Sequence, residues 1–136
     1  MKHYIIASHG TFAKGIYESI KIIVGEQENV HLINGFVESN DIEEDIKKVM
    51  NEIPENAEII AMSDVFGGSV NNELMKHLGR ENYYLITGMN LPLLMQIFLA
   101  GDGNTKEIIE NIVNSEDTTP KFCNPLIEDV SQEDEF

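Results

Sequence analysis

Apolar residues follow two alternating rhythms along this chain. Short, nearly continuous apolar runs at residues 4–7, 30–33, 57–62 and 82–87 predict buried strands. Between them apolar positions recur three and four apart, as on one face of a helix. Phe12, Ile16, Ile20, Ile23 and Val24 form the first such stripe, with Thr11 placed to cap it and Gly25 to end it. Gly15 within it suggests close packing on a sheet. Ile42, Ile46, Val49, Met50 and Ile53 form the second, opened by an Asn40–Glu43 capping box, supported by Glu43–Lys47 and Glu44–Lys48 pairs and closed by Pro54. Val70, Leu74 and Leu78 should face inward from a third helix. Residues 91–99 are apolar on nearly all sides, with Pro92 suited to a first turn, so a well-buried helix is expected. Asn104 with Glu107 caps a last helix whose Ile108, Ile109, Ile112 and Val113 point inward. Past Ser115 the rhythm dissolves. Residues 120–127 read as short and extended, and residues 128–136, with five acids, as an acidic disordered tail.

Strands alternating with helices predict an α/β fold: a doubly wound, mainly parallel sheet in the order 2-1-3-4 with helices on both faces. No internal repeat or linker interrupts it before residue 115. The expected organisation is one domain over residues 1–127, followed by the tail at 128–136. Composition narrows the function. The 136 residues are 42% hydrophobic, enough for one globular core. The formal net charge of −15 argues against nucleic acid or an anionic membrane surface as a direct partner. The one cysteine, Cys123, excludes an internal disulfide and a cysteine-cluster metal site. It reads as a packed or half-exposed thiol. No apolar run is long enough for a membrane span and no signal peptide opens the chain, so a cytoplasmic protein is expected, with no metal and no cofactor. His3, His31 and His77 have no partner at ligand spacing and read as structural. Met62, Met89 and Met95 read as core filler.

The candidate chemistry lies at strand ends. The run ending at Met62 gives way to Ser63-Asp64-Val65-Phe66-Gly67-Gly68-Ser69: an acid, two glycines that let the backbone turn and approach a ligand, and a serine at a helix start. The first strand exits through Ser8-His9-Gly10. In the order 2-1-3-4 these strands are neighbours, which places His9 and Asp64 at one crevice, with Asn90 after the fourth strand lining the same edge. A neutral imidazole is nucleophilic at one nitrogen, and a carboxylate on the other fixes its tautomer and stabilises the cation formed on attack. The glycine turn and helix start offer N–H donors to a transferring phosphoryl group. A transient phosphohistidine uses every part. On the residues alone a strand-end histidine that only hydrogen-bonds stays equally open, and a glycine turn of this kind is more often only a turn.

Residues 59–72, Ile-Ile-Ala-Met-Ser-Asp-Val-Phe-Gly-Gly-Ser-Val-Asn-Asn, resemble the Asp-containing Gly-Gly-Ser motif of IIA domains of the mannose-family phosphoenolpyruvate-dependent sugar phosphotransferase system. Ser8-His9-Gly10 resembles the phospho-acceptor motif of that family, and Gly88-Met89-Asn90-Leu91-Pro92 its glycine-x-asparagine-x-proline turn. The three motifs stand in order over roughly residues 3–113. The resemblance implies that His9 accepts phosphate from the carrier protein HPr and passes it to a histidine of a IIB component, the membrane IIC and IID components being served indirectly. It implies that Asp64 pairs with His9, and that Gly67, Gly68 and Ser69 border the phosphate. Phe66 and Asn90 are the expected partner-facing residues. Val70-Asn71 departs from the family's usual Pro-Phe, which suggests a looser helix start. No IIB sequence follows, so a free-standing IIA subunit is expected. The resemblance further implies a homodimer that exchanges a C-terminal antiparallel edge strand near residues 119–124; the apolar Phe122, Leu126 and Ile127 fit such a use, and the prolines around them allow only an edge position.

Rival readings fit less well. A histidine phosphatase or mutase wants an arginine before the histidine, where Ser8 stands, and Arg80 is the only arginine in the chain. A receiver domain needs an acid cluster after its first strand. The phosphotransfer subunit of dihydroxyacetone kinase keeps the histidine, but Phe66-Gly67-Gly68-Ser69 looks more like the sugar-transport branch. A non-catalytic anion-binding module would keep the glycine loop without needing His9.

Overall fold

The computed structural model describes residues 1–127, and the acidic stretch 128–136 lies outside them. In chain order the elements are β1 (Lys2–His9), α1 (Phe12–Ile23), β2 (Val30–Gly35), α2 (Ile42–Glu52), β3 (Glu58–Ser63), α3 (Ser69–Met75), β4 (Tyr83–Thr87), α4 (Leu91–Leu99) and α5 (Thr105–Val113), then a single 3₁₀ turn at Glu116–Thr118. The four strands are parallel and ordered β2-β1-β3-β4, as expected from the alternation of periods.

The period-2 geometry of the central strands builds two cores. From β1 and β3, Ile5, Ala7, Ile59 and Ala61 face one side, where they meet Ile42, Ile46 and Met50 of α2 and Val70 and Leu74 of α3. Ile6, Ile60 and Met62 face the other, against Ala13, Ile16, Tyr17 and Ile20 of α1 and Leu93, Leu94 and Ile97 of α4. The central strands are therefore covered on both faces, which is why they read as continuous apolar runs rather than alternating ones.

Several local expectations shift. On α1 the inward stripe is Ala13, Ile16, Tyr17 and Ile20, so Phe12 and Ile23 are left about half exposed. Gly15 is exposed and a side chain there would touch nothing, so it does not mark a close approach to the sheet. Thr11 makes no cap hydrogen bond. Instead Ser8 Oγ accepts from Ala13 N–H at 2.7 Å and Asn34 Oδ1 from Lys14 N–H at 3.2 Å, so two neighbouring strands supply α1 with its caps. On α2 the cap is Asp41, accepting from Glu44 N–H at 3.1 Å, one residue later than the capping-box spacing suggested. Leu78 and Val113 are exposed, and only Ile112 of the α5 stripe is fully buried.

The ordered core also extends past Ser115. Thr118 is buried, donates from Oγ1 to Ile112 O at 2.9 Å, and accepts at its carbonyl from Asn90 Nδ2 at 2.7 Å. Beyond it Pro120–Cys123 has no regular structure, and Phe122, Cys123, Leu126 and Ile127 are exposed. Cys123 is thus neither packed nor half-buried. At the opposite end of the sheet from the strand exits, His3 and His31 are not lone histidines. Their rings lie nearly parallel, 5.3 Å between centroids, with His3 Nδ1 3.0 Å from His31 Nε2.

Candidate functional site

Parallel pairing brings the candidate residues together. Ala7 lies opposite Ser63 in the β1–β3 ladder, and His9 opposite Gly35 in the β1–β2 ladder. One residue past the end of β3, Asp64 continues the ladder with its side chain. Its Oδ2 accepts from the His9 backbone N–H at 2.8 Å and lies 2.8 Å from His9 Nδ1, while Oδ1 accepts from Val65 N–H at 3.0 Å. Burial pushes the Asp64 carboxyl up, but the hydrogen bonds from the His9 backbone and ring and from Val65 outweigh it and hold the group below its ordinary value. An ionised carboxylate only accepts, so Nδ1 carries a proton, and in the neutral ring Nε2 presents the lone pair. The Asp64 side chain is 14% exposed and the His9 side chain 43%, so the pair is anchored at one end and open at the other.

The glycine turn wraps the imidazole. Gly67 adopts φ +80°, a region costly for other residues. Gly68 has ordinary dihedrals, and its constraint is space: a Cβ there would stand 3.1 Å from His9 Cε1 and 3.1 Å from Val65 Cγ2. Ser69 opens α3 with its Oγ 3.4 Å from His9 Nε2. No side chain caps this helix start. Phe66 is 77% exposed beside the site.

Asn90 falls to an internal use. Its Oδ1 accepts from Leu93 N–H at 2.9 Å, capping α4, and its Nδ2 holds Thr118 O. The predicted looser start of α3 is not found either. Val70 is fully buried, and Asn71 is buried with its Oδ1 accepting from Ser63 Oγ at 2.7 Å, while Ser63 Oγ is 2.9 Å from Thr87 Oγ1. This polar triad ties the ends of β3 and β4 to α3, one residue before Asp64.

Phe36, next after β2, was missed by sequence reasoning. Its ring lies over His9 with centroids 5.6 Å apart at 23°. The available signal was a bulky aromatic in the loop after a strand whose end adjoins that of β1. A cleft of about 490 Å³ runs along the outer edge of β2, lined by Lys14, Asn34, Asp45 and Lys48 among others, but does not include His9. The imidazole lies outside this cleft and is partly open to solvent. Among the described residues no helix is long and apolar enough to cross a membrane.

Fold and site together define a class: a doubly wound α/β protein that presents a carboxylate-anchored, solvent-facing histidine at the carboxyl ends of its strands, beside a glycine turn. Residues 3–113 match the family described as PTS system fructose IIA component, and the chain belongs to this mannose-type family of sugar phosphotransferase system IIA components. It is a phosphoryl carrier with a phosphotransferase role. Its relatives include the PTS system fructose-specific EIIA component of Bacillus subtilis, 25% identical, with 93% of this chain and 89% of the relative aligned. The PTS system mannose-specific EIIAB component of Escherichia coli K12 is 29% identical over 72% of this chain and 31% of its own length. Among solved structures, a Klebsiella pneumoniae protein described as a sugar phosphotransferase system permease superposes with a TM-score of 0.86 at 34% identity, covering 93% of each chain. The PTS IIA protein associated with the fucose utilization operon of Streptococcus pneumoniae superposes at 0.74 with 27% identity, covering 93% of this chain and 96% of its own.

Proposed function

We propose that His9 is the phosphoryl-accepting residue and that the transfer runs through Nε2. The carrying observation is the double anchorage of His9 on Asp64 Oδ2, which commits Nδ1 to donating and leaves Nε2 as the free nucleophile. Nε2 attacks the phosphorus of a phosphorylated HPr, an N–P bond forms, and the bond to the donor breaks with its electron pair returning to the donor. Positive charge grows on the ring as this happens, and the Asp64 carboxylate stabilises it. Ser69 Oγ, 3.4 Å from Nε2, would donate to a phosphoryl group there, and the backbone N–H groups of Gly67, Gly68 and the first turn of α3 would border it. The reverse chemistry hands the group to a histidine of a IIB component, which serves the membrane IIC and IID components in turn. An acceptor that must meet two proteins in succession needs to be open to solvent, as His9 partly is; Phe66 and Val65 offer apolar contact at its rim.

Assembly belongs to the same reading. The chain forms a homodimer in which residues near 119–124 add a strand to the sheet of a second copy. The support is the exposure of Phe122, Leu126 and Ile127 and, among the described residues, the unpaired outer edge of β4.

The test is phosphorylation with phosphoenolpyruvate, enzyme I and HPr. The protein should gain one acid-labile phosphate, ³¹P NMR should show it on Nε2, and His9→Ala should abolish it. Label that persists in His9→Ala, or a signal from an Nδ1 adduct, would overturn the assignment.

A further inference from the structure

Phe36 combines two unusual features in one residue. Its backbone adopts φ +64°, in the left-handed region where a side chain larger than that of glycine is strained. Its ring stacks on the imidazole of His9, within the 4.5–7 Å centroid range of favourable aromatic pairs. The residue before it, Gly35, is the ladder partner of His9, and Gly35 O also accepts from Gly10 N–H at 2.9 Å. Both sides of the strand-end crossing are thus fixed, and the chain must turn abruptly to leave it. The turn taken lays the ring of Phe36 over His9.

We propose that Phe36 is a positioning residue for phosphoryl transfer, setting the plane of the His9 imidazole while Asp64 sets its tautomer. A hydrogen bond at Nδ1 holds one atom of the ring and tolerates tilt about that contact. The Nε2 lone pair lies in the ring plane, so tilt swings the nucleophile away from the in-line path that transfer requires. An aromatic face stacked beside the ring at 5.6 Å limits this freedom. The imidazole is then restrained from two loops: Asp64 at Nδ1 and Gly68 packed at Cε1 from the loop after β3, and Phe36 stacked against its face from the loop after β2. Backbone strain at a reactive centre is expected where the rest of the fold forces it for such a purpose.

This inference rests on His9 being the acceptor, and the experiment separates the two. Single-turnover transfer from phosphorylated HPr is measured at a range of donor concentrations for the wild type, Phe36→Leu, Phe36→Tyr and Phe36→Gly. Phe36→Gly suits the left-handed backbone and retains the fold while removing the ring. Phosphoramidate, a small donor with no docking surface and ammonia as its leaving group, is run in parallel as a check that the nucleophile is intact. Phe36→Leu and Phe36→Gly should lower the saturating rate by about two- to tenfold, the range one aromatic pair accounts for. Half-saturation should move little, reaction with phosphoramidate should persist, and Phe36→Tyr should restore the rate. A variant whose half-saturation rises at unchanged saturating rate would make Phe36 a docking contact only and overturn the proposal. So would Phe36→Tyr performing no better than Phe36→Leu. A wild-type chain that takes phosphate from neither donor overturns the His9 assignment, and the role of Phe36 with it.

Discussion

Replacing Asp64 by asparagine separates what this residue does by shape from what it does by charge. The carboxylate accepts three N–H groups, two from His9 on Oδ2 at 2.8 Å and one from Val65 on Oδ1 at 3.0 Å. An amide has one oxygen. With that oxygen toward His9 two bonds survive and the amide NH₂ faces Val65 N–H; with it turned the other way only the Val65 bond survives. The first orientation wins, so Nδ1 stays the donor and Nε2 the nucleophile. What is lost is the negative charge opposite a ring that becomes positive as the N–P bond forms. Two unit charges about 4 Å apart attract by about 4 kcal/mol at an effective dielectric near 20. The ring carries only part of a charge in the transition state and is 43% exposed, which reduces the figure to about 3 kcal/mol. At about 1.4 kcal/mol per decade, Asp64→Asn should slow transfer from phosphorylated HPr by about two to three orders of magnitude. Rapid-quench kinetics measures this, with amide NMR spectra to show that the fold is kept. A folded Asp64→Asn protein that transfers at the wild-type rate would refute the electrostatic argument and leave Asp64 a purely structural anchor.

Gly68→Ala should retain stability, since the dihedrals at this position suit alanine, yet force His9 or Val65 aside by a few tenths of an ångström. A threefold to tenfold loss of transfer, about 1 kcal/mol, is the expected cost, and an undiminished rate would show that the imbedded contact is slack. The His3–His31 pair should make the protein acid-sensitive. Burial, and for His3 also the charge of His31, holds both imidazoles below the ordinary 6.5, so below that pH the unfolded chain binds more protons and stability falls with pH. His3→Leu/His31→Leu should therefore lose less melting temperature than the wild type between about pH 7.5 and about pH 5.5, and parallel melting profiles would remove the pair from the account. Truncation after Thr119 keeps the Asn90–Thr118 tie and should give a folded monomer, against the dimer proposed for the full chain; light scattering of both decides whether the residues beyond 119 drive assembly.

Much of the architecture was legible because it follows from local chemistry. Strands buried on both faces must be apolar throughout, helices on one face must repeat every three or four residues, and their alternation leaves a parallel sheet as the solution. Parallel order then made the meeting of His9 and Asp64 predictable, since neighbouring strand ends lie together. The details of the site were not legible, because they depend on how far each element is rotated and shifted against its neighbours. Ser8 rather than Thr11 caps α1 because β1 brings its hydroxyl to Ala13 N–H, a relation with no local signature. Phe12 and Ile23 lie beside the inward stripe because α1 turns Ala13, Ile16, Tyr17 and Ile20 to the sheet. Asn71, an apparent break in a motif, is buried and bonded to Ser63 across the strand–helix junction. His3 and His31 become a pair only through the register that sets β1 beside β2, and Phe36 meets His9 only because the chain leaves Gly35 with a left-handed turn. Periodicity is a property of a few consecutive residues and survives in the sequence; side-chain encounters across elements are fixed by the packing of the whole core, and only the folded chain specifies them.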